Sequence, residues 1–233
     1  MIASIHQPSY WPWLGLLDKI ARSDVFVLLD DVQITKGSFQ YRNKFFCNGE
    51  AKFITIPLNL NLGVKINEVR FRNDAWKVEH LSKYYNYYLK SPFFEEVFCD
   101  IEKIYKQDYQ NPIDLLKESM LFSLMKLGIN VKVLLSSDFS VLGTKGEMVL
   151  NLCKVTNCSE YLAGMGSYEY MQDILPKFKE ANISVRWHSF KHPVYKQKTD
   201  GKFLEGLGCL DLFFFQGYEK SRSIFWENIN CRN

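Results

Sequence analysis

Residues 2–5 form a short apolar run that stops at His6-Gln7-Pro8, the pattern of a buried strand ending in a turn. From Trp13 the period changes: Trp13, Leu16, Leu17, Ile20 and Ala21 recur at helical spacing until Ser23-Asp24 breaks them. Residues 25–29 are a second apolar run. Strand, short helix and strand imply parallel pairing through a crossover, a βαβ unit. Beyond a polar segment, residues 42–47 and 51–57 read as strands flanking Asn48-Gly49, a strong hairpin signal. Residues 66–71 predict a further strand.

The stretch 75–128 is helical in pattern, with Pro112 placed to open one of its helices. Strands are then expected at 131–135, 160–163 and 183–187. Between them, Thr144 and Glu147 have the spacing of a capping box for a helix through Cys153, and 168–181 predicts another helix. The apolar tail from Phe203 is expected to be helical and to close over the sheet. The fold class is therefore α/β: a Rossmann-like, mostly parallel sheet with a β-hairpin and a helical insertion at residues 75–128, in one domain covering residues 1–233.

Composition narrows the function classes. Apolar residues make up 47% and charged residues 24%, an ordinary globular balance. A net charge of +3, with Lys and Arg dispersed among acids, argues against a nucleic-acid partner. The six cysteines form no CxxC pair, so they read as reduced thiols. The four histidines show no HxH or HExxH spacing, so no metal is expected. No apolar run reaches the ~20 residues of a transmembrane helix, and the start lacks a signal-peptide pattern; a cytoplasmic location is expected by elimination.

Ligands of open α/β sheets bind beyond the carboxyl ends of strands. That rule selects His6 to Tyr10, Asp30 to Gln33, Ala163 to Ser167, and His188 with the His192-Pro193-Val194-Tyr195 segment. Each also has a plainer reading. His6 is either a hydrogen-bonded structural residue or a base, and Asp30-Asp31 are either loop caps or site carboxylates. Gly164 and Gly166 make either a simple turn or a backbone that an anion can approach. Lys19 reads as a surface lysine unless its helix borders the pocket. Tyr84, Tyr85, Tyr87 and Tyr88 favour packing over a sugar platform.

HQPSYWPWLGLLDKIARSDVFVLLDDVQ, followed by Tyr41-Arg42-Asn43, resembles the opening of WbqC-like proteins. Further matches run in order: Gly143-Thr144-Lys145, Tyr161-Leu162-Ala163-Gly164, residues 192–197 (HPVYKQ) and Leu210-Asp211-Leu212. The chain departs from the pattern at Leu16, Leu17, Met148, Ala163 and Gly208, which bears on substrate identity and leaves the His6 segment untouched. The resemblance implies a role in bacterial O-antigen or capsule biosynthesis. It implies candidate site residues at His6, Gln7, Tyr10, Trp13, Gly15, Lys19, Asp31, Gln33, Arg42, Asn43, His192, Tyr195, Gln197 and Asp211; Gly164 joins them from its strand end. A fold-level similarity to HIGH-type nucleotidylyltransferases also exists, with Trp13-Leu14-Gly15-Leu16 in the HxGH slot and both histidines missing.

The leading expectation is a transferase that adds an acyl or aminoacyl group to a nucleotide-activated sugar or its precursor. His6, Asp31, Arg42 and His192 are its expected catalytic residues, with His6 as general base, Asp31 orienting the imidazole or the sugar, and Arg42 and Lys19 holding phosphate or carboxylate. Tyr10 and Trp13 are expected to stack on a base or sugar. The partner is a small molecule, a sugar nucleotide; a nucleotide or an acyl donor is the expected cosubstrate. The alternatives are a nucleotidyltransferase or ATP-dependent ligase, and a non-catalytic sugar-nucleotide-binding protein.

Overall fold

The computed structural model describes residues 1–197 and 202–231. The chain divides into two compact units, one made of Met1–Gln7, Leu16–Val32 and Ile129–Lys191, the other of Pro8–Gly15, Gln33–Gly128 and His192–Asn233.

The first unit is built on five parallel strands: β1 (Ile2–His6), β2 (Val25–Leu28), β5 (Lys132–Leu135), β6 (Glu160–Gly164) and β7 (Ser184–His188), lying in the order β5-β2-β1-β6-β7. Counted along the chain within this sheet, that order is 3-2-1-4-5, the Rossmann arrangement. Every residue of β2 is buried, as its place between two parallel neighbours requires. Along β1 and β2 the alternate residues Ala3, Ile5, Val25 and Val27 share one face. They form a core with Val149 and Leu152 of α5 (Lys145–Val155), Tyr161 and Ala163 of β6, and Phe178 of α7 (Leu175–Glu180). The first helix, α1, covers Leu14–Ala21.

The second unit contains the hairpin β3 (Arg42–Cys47) and β4 (Glu50–Thr55), paired antiparallel. Asn48 and Gly49 both take positive φ, 52° and 85°, which suits the twist of a two-residue hairpin turn. Among its described residues are also the helices α2 (Trp76–Tyr88), α3 (Phe94–Tyr105), α4 (Pro112–Leu127) and α8 (Leu210–Asn230). Pro112 sits in the first turn of α4, where its missing N–H costs no helical hydrogen bond.

Several expectations change. Residues 66–71 are not a strand: Ile66–Glu68 is a 3₁₀ turn, and Phe71 only bridges Leu58. The N–H groups of Glu68 and Val69 bond to Lys65 O, and Lys65 N–H bonds to the Glu68 carboxylate, so local partners take the donors a strand would offer. The helix expected at 168–181 is broken into α6 (Tyr168–Met171), a 3₁₀ turn at Gln172–Ile174, and α7. Pro176 is the reason, because inside one long helix it lacks a donor and clashes with the preceding turn. Thr144 does cap α5, but not through its side chain; its carbonyl accepts from Glu147 N–H at 3.1 Å. The tail is irregular over residues 202–209. Its helix α8, interrupted at Gly217 (φ 70°), packs against α3, α4 and β3 of the second unit.

Candidate functional site

In a 3-2-1-4-5 sheet the crossover connections leave in opposite directions from β1, so a crevice opens at the carboxyl ends of β1 and its neighbour β6. A cleft of about 350 Å³ lies there, lined by His6 and Gln7 after β1, Lys19 from α1, and Gly164, Gly166 and Ser167 after β6. Ile5, Leu29, Val149, Tyr161 and Tyr170 supply the apolar and phenolic wall.

The chemistry of His6 follows from one contact. Its Nδ1 lies 2.7 Å from the Gln7 carbonyl oxygen. A carbonyl only accepts, so Nδ1 carries the proton, and in the neutral ring Nε2 is left with a lone pair. The side chain is reachable by solvent, yet protein surrounds it closely. Desolvation, then repulsion from Lys19, lower its pKa to about 4 against the bond to Gln7. The imidazole is therefore neutral at pH 7.

Lys19 is 3% exposed, and its helix borders the cleft, the condition under which it was not to be a surface lysine. Its ammonium donates to Ile5 O at 3.0 Å and makes no ion pair among the described residues. Desolvation alone lowers its pKa to about 7. Next to it on α1, Asp18 is fully buried; it accepts from Arg22 Nε at 2.9 Å and faces His188 Nε2 at 2.6 Å. Burial opposes its charge, but the hydrogen bonds from His188 and Arg22 hold its carboxyl below the ordinary range.

Asp30 and Asp31 follow β2 in the same unit. Asp30 is buried and bound by Ser137 N–H at 3.0 Å and Ser137 Oγ at 2.7 Å; Ser136 Oγ faces both carboxylates. Asp31 is half-buried on this serine network and does not line the cleft.

The remaining candidates belong to the second unit. Tyr10 is fully buried, with its hydroxyl against Tyr84, Tyr105 and His80 Nδ1. His80 Nε2 faces Thr55 O at 3.1 Å, which makes Nε2 the protonated nitrogen and Tyr10 the donor to Nδ1. Asn43 is buried and donates to Tyr10 O and Trp11 O at 2.9 and 2.8 Å, clamping a turn in which Trp11 has a φ of 44°. Trp13 is 38% exposed and lies directly on Gly15, where a Cβ would meet its ring at 2.2 Å. Gly15 thus supports the indole.

Arg42 is half-buried, with its guanidinium 4.4 Å from the Phe53 ring centre and its buried Nε lacking a hydrogen-bond partner. Gln33 is exposed and bridges Lys65. His192 Nδ1 lies 2.8 Å from Pro193 O, and its ring neighbours Tyr195 and Phe203; desolvation lowers its pKa. Asp211 is fully buried; its Oδ2 accepts from Tyr195 and Gln197, each at 2.7 Å, and its Oδ1 has no partner. Burial raises its pKa to about 7, against those two bonds. Of the tyrosines in α2, Tyr84 and Tyr88 are core residues and Tyr85 is exposed.

The structure therefore brings His6, Gln7, Lys19 and Gly164 together in one cleft. Ser167, within the selected Ala163 to Ser167 segment, joins them, while sequence reasoning missed Tyr161 and Tyr170 as lining residues and the pairing of His188 with Asp18; for that pairing only the i,i+4 spacing of Asp18 and Arg22 gave any signal. Among the described residues no three His, Cys, Asp or Glu side chains group as metal ligands. None of the described helices is long and apolar enough to cross a membrane.

The model of the WbqC-like protein family matches residues 7–223. The chain belongs to that family. This WbqC-like protein is also 29% identical, over 220 residues, to the uncharacterized protein Rv1507c of Mycobacterium tuberculosis, covering 93% of this chain and 94% of that one. No solved structure matches it. The family match embraces nearly the whole of both units and most of the cleft lining, from Gln7 to Tyr170.

Proposed function

We propose that this WbqC-like protein is a transferase of surface-polysaccharide biosynthesis that adds an acyl or aminoacyl group to a nucleotide-activated sugar or its precursor. The observation that supports it is the pairing, in one cleft at the sheet's switch point, of a neutral His6 with Nε2 available and a buried Lys19 that has no counter-ion among the described residues. The polysaccharide setting comes from the family resemblance.

In this reading the sugar amine attacks the acyl carbonyl carbon, and His6 Nε2 takes the amine proton as the new bond forms. The acyl donor's leaving group departs as the tetrahedral centre collapses. Gln7 O holds the imidazole tautomer that makes Nε2 the base. Asp31, bound to the serine network, is left for a sugar hydroxyl.

The test is incubation of the purified protein with nucleotide-activated amino sugars and acyl donors, followed by mass spectrometry of the small molecules. A mass increase equal to one acyl group, lost in folded His6→Ala, supports the reading. A sugar nucleotide that binds tightly and is never altered by any donor sinks it in favour of a binding protein.

A further inference from the structure

Lys19 presents an unusual combination. Burying an ammonium without a carboxylate is costly, and such groups in proteins are ordinarily paired or deprotonated. Lys19 has one neutral acceptor, Ile5 O at 3.0 Å, and lines a cleft roomy enough for a ligand. No acidic residue lines that cleft. The wall opposite is kept open by glycine: a Cβ on Gly164 would stand 3.8 Å from Lys19 Nζ, and a Cβ on Gly166 would meet nothing within 4 Å.

We infer that the Lys19 end of this cleft is a subsite for a phosphate group, with Lys19 as its cation and Gly164 and Gly166 as its clearance. The inference rests on the transferase reading only in naming which part of an activated sugar enters here. A phosphate fits the chemistry because it brings the missing negative charge and several acceptor oxygens to a donor that has a single partner. The ligand completes an ion pair that the fold leaves half-built.

Such a site couples binding to protonation. The titratable groups facing Lys19 across the cleft are His6 on β1, Tyr161 on β6 and Tyr170 on α6; α5 presents only Val149. Burial raises both phenols, so they stay neutral, and His6 is neutral above about 4. Asp18, adjacent on α1, is already engaged by Arg22 and His188. Between pH 6 and pH 9 the group that changes charge in the empty cleft is Lys19, whose free pKa is about 7.

Sulfate is the appropriate probe, because it has the shape of phosphate and a charge that does not vary in this range. Isothermal titration of the full chain with sulfate is expected to show affinity falling about a hundredfold from pH 6 to pH 9, with proton uptake on binding near pH 8. Lys19→Met is expected to abolish binding, and Lys19→Arg to remove the pH dependence, since arginine keeps its charge. Gly164→Val, at a backbone position with ordinary extended geometry, is expected to cover the ammonium and weaken sulfate at least tenfold. The wild-type pH series stands even where a variant fails to fold. No sulfate binding, an affinity constant from pH 6 to pH 9, or binding retained in folded Lys19→Met overturns the subsite. A protein that transfers an acyl group yet ignores sulfate overturns the subsite alone. One that binds sulfate as described yet alters no sugar nucleotide overturns the transferase reading alone.

Discussion

In the aromatic interior of the second unit, Tyr10, His80, Tyr84 and Tyr105 hydrogen-bond to one another, and Asn43 ties the Tyr10 and Trp11 carbonyls. In the cleft of the first unit, Lys19 has among the described residues only a backbone carbonyl, and His6 keeps one nitrogen for a ligand. Both regions bury polar side chains named by the same family pattern. The difference is in where their hydrogen-bonding capacity goes. A network that satisfies itself rigidifies the fold, whereas groups left partly satisfied beside a cleft are poised to bind. Asp211 stands between the cases, with one oxygen held by Tyr195 and Gln197 and the other buried without a partner.

The largest effect that sharpens this contrast is the pH response of Asp211. Its folded pKa, about 7, lies above its ordinary 3.8, so its stabilising contribution is full below the ordinary value and is lost as pH rises through about 7. At 1.36 kcal/mol per pKa unit, that contribution falls by roughly 4 kcal/mol between pH 4 and pH 8. His80, lowered from 6.5 to about 4, acts in the opposite sense, since stability is lost as pH falls between those values. The check is therefore a difference: denaturant melts of wild type and Asp211→Asn across this range, with the wild-type advantage at low pH vanishing as pH rises. A difference independent of pH would break the assignment of a protonated structural carboxyl.

Next in size is His6→Ala. Loss of a general base is expected to cut turnover on the order of a hundredfold or more while the melting temperature barely moves. Unchanged turnover in a folded variant would return His6 to a structural role. The smallest effect is Tyr10→Phe, which removes one hydroxyl from a network whose other members remain. A loss of about 1–3 kcal/mol in stability is expected, and sulfate affinity in the first unit is the control that should not change.

Much of the sheet was legible because β1, β2 and β6 are short apolar runs bounded by polar turns, and Asn48-Gly49 announced its hairpin. The 3₁₀ turn at Ile66–Glu68 was not, because its alternation of apolar and polar residues also fits a strand, and a local bond from Lys65 N–H to Glu68 decides otherwise. The Pro176 break was visible in principle, yet the apolar spacing outweighed it. For the site, strand ends led to His6, Gln7 and Gly164. Lys19 was named by the family pattern, while helical spacing alone left it open between surface and pocket, because that spacing gives a direction around the helix axis but not what fills the space beyond it. Tyr10, Asn43 and Asp211 share the family pattern with the cleft residues, and no pattern distinguishes a side chain satisfied by the fold from one left for a ligand.

Hydrogen–deuterium exchange of the protein with and without a panel of nucleotide-activated sugars tests the central claim most directly. The account predicts that a binding member slows exchange at residues 6–7 and 164–167, around Lys19. Protection confined to the Tyr10, Asp211 and His192 regions, with the first-unit cleft unaffected, would contradict it.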